Sequence, residues 1–225
     1  MAQPEGFSVT MGASLGDSHG LAYDIAVTIS VIEVPMSSQP RKRRPPFDRE
    51  AGVAIAQDLF HARGFDAVGV ADLTQALEIT PPSLYAAYGS KAQLFQRAMQ
   101  RYADAEMRPL SAILSDDRNP ADAVTELLTM AARQYTADPA RLGCLVTEAL
   151  GADDPTARDM AAEIAMPSAD AIRAYTRQHF PERHDELADY VLMTLRGLSS
   201  FSRQGYSGEK LEGCVRTAAM ALAWK

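Results

Sequence analysis

The sequence predicts an all-α fold, with a three-helix N-terminal unit joined by a long helix to a larger helical domain. Three observations predict it. After about residue 47, Leu, Ala, Met and Arg outnumber the β-branched residues, a composition that favours helices. Apolar residues recur at helical spacing in one segment after another. Capping residues and prolines fall between those segments, where helices start and stop.

Residues 1–35 are rich in Gly, Ser and Pro and carry no helical period. Tyr23 to Val34 has a strand-like composition, but no partner strand is evident elsewhere. The segment reads as a disordered or non-native extension, with the functional protein starting near Met36. Residues 36–46 form a basic arm, in which Ser37-Ser38-Gln39-Pro40 leads into Arg41-Lys42-Arg43-Arg44. Asp48 then caps a first helix, with Phe47 before it as a hydrophobic staple. Val53, Ala56, Leu59 and Phe60 lie on one face of that helix; Gly64 ends it and Phe65 can fold back over its last turn. A short second helix runs from Val70 to Leu77, burying Val70, Leu73, Ala76 and Leu77.

Glu78 and Ile79 make a tight turn, and Thr80 is a good N-cap for a third helix. Pro81 fits the first helical position, where its fixed φ helps and its missing N–H is no loss, and Pro82 is tolerated in the same turn. Gly89 stops this helix after Tyr88. Ser90 with Gln93 forms a capping box for a long helix whose stripe of Leu94, Phe95, Ala98, Met99 and Tyr102 runs to about Met107. Residues 47–91 therefore have a helix-turn-helix layout. Residues 92–225 form the second domain, with further helices at about 120–137, 142–151, 156–179, 184–205 and 208–224. Pro167 is expected to kink or split the helix at 156–179.

Composition narrows the function. The chain has 225 residues, 47% of them apolar, enough for a small domain and a medium one. No run reaches the roughly 18 apolar residues of a membrane span, and Ile25 to Val34 is interrupted by Glu33. That run also lacks the basic start and cleavage site of a signal peptide, so a cytoplasmic protein is expected. Cys144 and Cys214 have no paired motif and read as small apolar residues in a reducing compartment; a sensor thiol at Cys144 is the alternative. The net charge of −7 argues at first against nucleic acid, but its distribution does not. Residues 1–35 carry four acids and no Lys or Arg, residues 36–108 ten bases against eight acids, and residues 109–225 twelve against seventeen. A basic arm on an acidic body suits DNA contact through one end of the molecule, although such a run can also be a solvated tail.

An enzyme is the main rival. His19, His61, His179 and His184 sit in no nucleophile or metal motif, and His179, His184, Asp185 and Glu186 read as a solvated helix junction before they read as metal ligands. Gly-rich phosphate loops and GxSxG elbows are absent, and no cofactor is expected.

Over about residues 47–107 the chain resembles the TetR/AcrR family of regulators. The resemblance is carried by Leu73-Thr74-Gln75-Ala76-Leu77, by Thr80-Pro81-Pro82-Ser83-Leu84-Tyr85-Ala86-Ala87-Tyr88-Gly89-Ser90-Lys91, and by Leu94-Phe95. Gly143-Cys144-Leu145 is similar to one AcrR-like branch. The resemblance implies a homodimer on a palindromic operator, usually a repressor released by a small molecule. By position, Tyr85 and Lys91 match residues that contact DNA phosphates, which fixes register without reading sequence. Bases would meet Thr80, Pro81, Pro82, Ser83 and Ala86, none of which forms the bidentate pairs of Arg or Asn. Direct readout is then sparse, and shape, phosphates and the arm Arg41, Lys42, Arg43, Arg44 carry much of the affinity. Tyr88 matches a core aromatic.

Two positions depart from the family. Glu78 stands where the turn commonly has Gly, and Val68-Gly69 where Thr or Ser often begins the second helix, which removes a phosphate contact. A ligand pocket is expected among the helices from about 120 to 180, with Met130, Gln134, Tyr135, Met160, Met166 and Tyr175 as lining candidates. Apolar stripes run along the last two helices, Leu187, Tyr190, Val191, Thr194, Leu195, Leu198 and Phe201, then Leu211, Cys214, Val215, Ala218, Ala219 and Leu222. With small Gly197 and Ser199 they suit packing on a symmetry mate, which the family resemblance favours over internal packing. The alternative to a regulator is a helical small-molecule-binding protein with a degenerate DNA motif.

Overall fold

A computed structural model describes residues 10–16, 22–28, 48–114 and 119–222. The chain divides into two units, Met1–Pro46 and Phe47–Lys225. The first contains a hairpin of β1 (Thr10–Gly16) and β2 (Ala22–Thr28), paired antiparallel from Thr10 opposite Thr28 to Gly16 opposite Ala22. This corrects the expectation that the strand-like stretch beginning at Tyr23 has no partner. Tyr23, Ile25, Val27 and Thr28 suit a strand, whereas the Gly, Ala and Ser of β1 carry no alternation that would mark it. Met36 and the arm Arg41–Arg44 lie outside the described residues.

The second unit is helical: α1 (Arg49–Arg63), α2 (Val70–Ala76), α3 (Pro81–Tyr88), α4 (Lys91–Ile113), α5 (Pro120–Gln134), α6 (Leu145–Ala149), α7 (Pro155–His179), α8 (His184–Arg203) and α9 (Gly208–Leu222). Its caps follow the chemistry of their residues. Asp48 Oδ1 accepts from the amides of Glu50 and Ala51 at 2.9 and 3.1 Å. Ser90 Oγ accepts from the Gln93 amide at 3.1 Å, and Gly89 takes a φ of 83° that favours glycine.

Two apolar cores organise the unit. One joins α1, α2, α3 and the first half of α4 to α6 and the start of α7; Phe60, Phe65 and Phe95 meet at its centre with ring centroids 4.8–6.1 Å apart. The other joins α5, α8 and α9 to the far ends of α4 and α7. Two long helices span both: α4 places Leu94 to Tyr102 in the first and Leu110 with Ile113 in the second, and α7 places Ala157 and Ala161 in the first and Ile172 and Tyr175 in the second.

Several boundaries differ from the sequence reading. α4 continues past Met107 and through Pro109 to Ile113, because Leu110 and Ile113 are buried beyond the proline. α6 is five residues long, shorter than the 142–151 expected. α7 is not split at Pro167: it runs from Pro155 to His179 with the proline exposed, where a freed carbonyl can bond water. Of the α2 residues expected to be buried, Val70 is half-buried and Ala76 exposed, while Leu73 and Leu77 enter the core.

The turn between α2 and α3 is a Schellman motif: the Ile79 amide reaches back to Thr74 O at 3.1 Å and the Glu78 amide to Gln75 O at 3.3 Å. Glu78 occupies the position that usually takes glycine, at φ 52°. A left-handed L-residue costs about 1–2 kcal/mol, and glycine returns part of that through greater freedom of the unfolded chain. Glu78→Gly is therefore expected to stabilise the protein by about 0.5–1 kcal/mol, read as a raised midpoint in chemical denaturation; an unchanged or lowered midpoint would contradict the strain.

Candidate functional site

α3 presents two chemically distinct sides. Leu84 and Tyr88 are buried, and the Tyr88 hydroxyl donates to Arg49 O at 2.9 Å, fastening α3 to the start of α1. Thr80, Pro81, Pro82, Ser83, Tyr85 and Ala86 are exposed, Tyr85 by 50%. The two hydroxyls of that face, Thr80 Oγ1 and Ser83 Oγ, lie 2.9 Å apart in a hydrogen bond, and Thr80 Oγ1 also accepts from the Ser83 amide at 3.4 Å. Lys91, half-buried, holds Nζ 3.8 Å from the Phe65 ring centroid, and burial lowers its pKa. The second helix begins without a side-chain cap. Instead Asp72 Oδ2 accepts from the Gly69 amide at 2.7 Å while Oδ1 pairs with Arg63 at 2.8 Å, and that Arg63 bond is the main cause of the lowered Asp72 pKa.

A cavity of about 150 Å³ lies among α4, α5, α6, α7 and α8. Met130, Gln134 and Tyr135 line it. Met160, Met166 and Tyr175 do not. Met160 packs against the first core, Met166 is 53% exposed, and Tyr175 is buried in the second core with its ring 4.4 Å from that of His179. The sequence reading passed over Tyr102, Leu195 and Arg196, because α4 and α8 bring lining residues from outside the 120–180 window, and it passed over Thr147 of α6 within it.

Between α3's domain and this cavity lies a buried polar junction. His61 of α1 is buried, and its Nε2 donates to Gly143 O at 3.0 Å, which fixes the tautomer. Gly143 has φ 79°, and a Cβ there would stand 2.9 Å from Ser199 Oγ, so both conformation and space call for glycine. The next amide, Cys144, donates to Ser199 Oγ at 2.9 Å, and that hydroxyl donates to Glu148 Oε1 at 2.9 Å. Glu148 Oε2 pairs with Arg203 Nε at 3.1 Å, and Arg203 Nη2 donates to His61 O at 3.0 Å, closing the ring on α1.

Two further ties flank the ring. Arg141 bridges Asp58 of α1 and Asp138, and Asp66 accepts from the amides of Asp153 and Asp154 at 2.8 and 3.2 Å. Both ends of α6 are thus anchored to α1 and the loop after it, while Cys144, Val146, Thr147 and Leu150 line the cavity. Apart from the local Arg141–Asp138 pair, none of these pairings was legible in sequence, since the partners lie 51 to 142 residues apart.

On α8 and α9 the sequence stripe is mostly internal: Leu187, Val191, Leu198, Ser199, Leu211, Val215 and Ala218 are buried within the chain. The outward apolar side chains are Met193, Phe201 and Met220, exposed by 65%, 44% and 61%. Cys214 is exposed, not buried, and Cys144 is half-buried with Sγ accepting from the Thr147 amide. Among the described residues no group of three or more His, Cys, Asp or Glu is placed to hold a metal ion, and no helix is long and apolar enough to cross a membrane.

Residues 53–98 match the family described as bacterial regulatory proteins, tetR family. The chain is 42% identical over 183 residues to the HTH-type transcriptional repressor BdcR of Escherichia coli K12, covering 81% of this chain and 89% of that protein. It is 28% identical to the repressor ComR of the same organism, covering 76% and 87%. Among solved structures it is similar to the TetR family regulator CifR, a cysteine mutant complexed with 26-bp operator DNA, at 31% identity and TM-score 0.73, covering 81% of this chain and 100% of that one.

The junction predicts a pH dependence. Burial is the largest cause lowering the His61 pKa, with Arg203 and Arg141 adding to it and the Gly143 bond and Asp58 opposing. The unfolded chain then takes up the proton first, so stability falls as pH drops below the ordinary histidine value of about 6.5. The denaturation midpoint should fall more between pH 7.5 and 5.5 for wild type than for His61→Gln, which keeps a neutral donor; parallel slopes would contradict the assignment.

Proposed function

The chain belongs to the TetR family of bacterial regulatory proteins, and we propose that within it this protein is a ligand-responsive repressor binding a palindromic operator as a homodimer. Like its relatives, it is a DNA-binding transcriptional regulator and not an enzyme. The observation that carries the reading is the division of α3, with Leu84 and Tyr88 locked inside and a continuous face from Thr80 to Ala86 left open. CifR, solved on operator DNA, supports placing that face in the major groove.

On this reading Tyr85 offers its hydroxyl to a phosphate, and Lys91 meets another from its seat over Phe65. Thr80 and Ser83 already bond each other, so Pro81, Pro82 and Ala86 supply mainly apolar contact to thymine methyls. Arg41, Lys42, Arg43 and Arg44 add phosphate or minor-groove contacts. Dimerisation falls to the α8–α9 face of Met193, Phe201 and Met220. Gly197 supports a second copy there: glycine inside a helix costs about 1 kcal/mol relative to alanine, yet a Cβ at Gly197 would meet nothing within 4 Å of its own chain. The cavity takes the effector, with Met130, Gln134 and Tyr135 in its wall, and α6 relays occupancy to α1.

Selection from a random-sequence DNA library at low salt tests the reading. A palindromic sequence should be enriched; if none is, a helical small-molecule-binding protein with a lapsed DNA motif takes its place. Tyr85→Phe should weaken binding to matched and mismatched sites alike. Lys91→Ala should do the same and reduce the slope of log affinity against log salt by about one. Effects confined to one base position would contradict the phosphate roles.

A further inference from the structure

We propose that the cavity takes a small monocarboxylate whose apolar body is about the size of one ring. The inference rests on the ligand-responsive reading above and gives that site its ligand chemistry.

Size comes first. An apolar cavity of about 150 Å³ accommodates a benzene-sized body, and that is the volume enclosed here. Leu127, Met130, Val146, Ile164 and Ile172 make most of the wall apolar, so an occupant gains by leaving water along its hydrocarbon surface. The body is therefore hydrocarbon.

Charge comes second. Among the described residues, Arg196 of α8 is the one lining residue with a formal charge at neutral pH, and no carboxylate of those residues lines the cavity. Among the described residues no hydrogen bond or ion pair occupies its guanidinium, in contrast to Arg203 about two turns further on, which is held by Glu148. Arg196 is exposed, so it stands at the mouth and not in the apolar interior. A guanidinium fork in that position matches a carboxylate in two parallel hydrogen bonds while the apolar body lies inside. A cationic head would meet the same guanidinium with like charge, and a neutral hydroxyl would gain only an uncharged acceptor's bond.

Three probes of nearly equal shape test this on the full-length protein: phenylacetate, 2-phenylethanol and 2-phenylethylamine, titrated by calorimetry at pH 7.5. Phenylacetate should bind about tenfold or more tighter than the alcohol, and the amine most weakly. Arg196→Gln should remove that advantage while the alcohol is little affected, and Arg196→Lys should restore part of it; unchanged thermal midpoints identify both variants as folded. Equal binding of acid and alcohol, equal losses for both in Arg196→Gln, or no binding of any probe at millimolar concentration would overturn the proposal. So would an Arg196→Gln that alters dimer dissociation and leaves phenylacetate affinity intact, since the guanidinium would then serve the subunit seam. Operator release, measured separately, tells the two readings apart. Phenylacetate that binds through Arg196 without changing operator affinity upholds the carboxylate site and overturns ligand control.

Discussion

The fold depends on the apolar stripes of two long helices. α4 carries side chains into both cores, Leu94, Phe95, Ala98, Met99 and Tyr102 closing the first and Leu110 with Ile113 entering the second, and α7 does the same with Ala157 and Ala161 in the first and Ile172 and Tyr175 in the second. Because interiors are packed to near-crystalline density, neither core can shift against α4 without opening voids. The helix-turn-helix and the cavity are thus held along a common spine. Tyr102 stands where the two meet, lining the cavity while its ring lies 5.3 Å from that of buried His61.

The polar junction adds directionality to that packing. A hydrogen bond between neutral groups contributes about 0.5–1.5 kcal/mol net, but a buried partner left unmatched costs about 1–3 kcal/mol. A closed circuit through His61, Gly143, Cys144, Ser199, Glu148 and Arg203 therefore resists partial rearrangement, because breaking one bond strands another group. Movement of α6 and movement of α1 become linked alternatives.

Much of the N-terminal domain was legible in sequence because its signals are local. Asp48, Thr80 and Ser90 cap amides two or three residues ahead, and Gly64 and Gly89 take conformations few other residues accept. The exposed face of α3 follows from the same short-range periodicity. The cavity was only half legible: α5 residues were found, but helices distant in sequence supply the rest, and helical phase turns Met166 outward. The boundary of α4 was misread at Pro109, where burial of Leu110 and Ile113 overrides a local breaker. The junction was illegible, since its members are ordinary residues whose meaning arises from contacts across the fold.

α6 is far shorter than the roughly 12–15 residues at which a helix begins to hold itself in water. Its order is borrowed from the ties at its ends and the core beneath Leu145 and Ala149. Its anchoring carboxylate, Glu148, and its cavity-lining side chains, Val146, Thr147 and Leu150, are different residues of one short segment. Substitution can therefore reshape the cavity while Glu148 and its clamp to Arg203 persist. Descendants of this chain can diverge in the shape of the cavity while inheriting the clamp that ties α6 to α1.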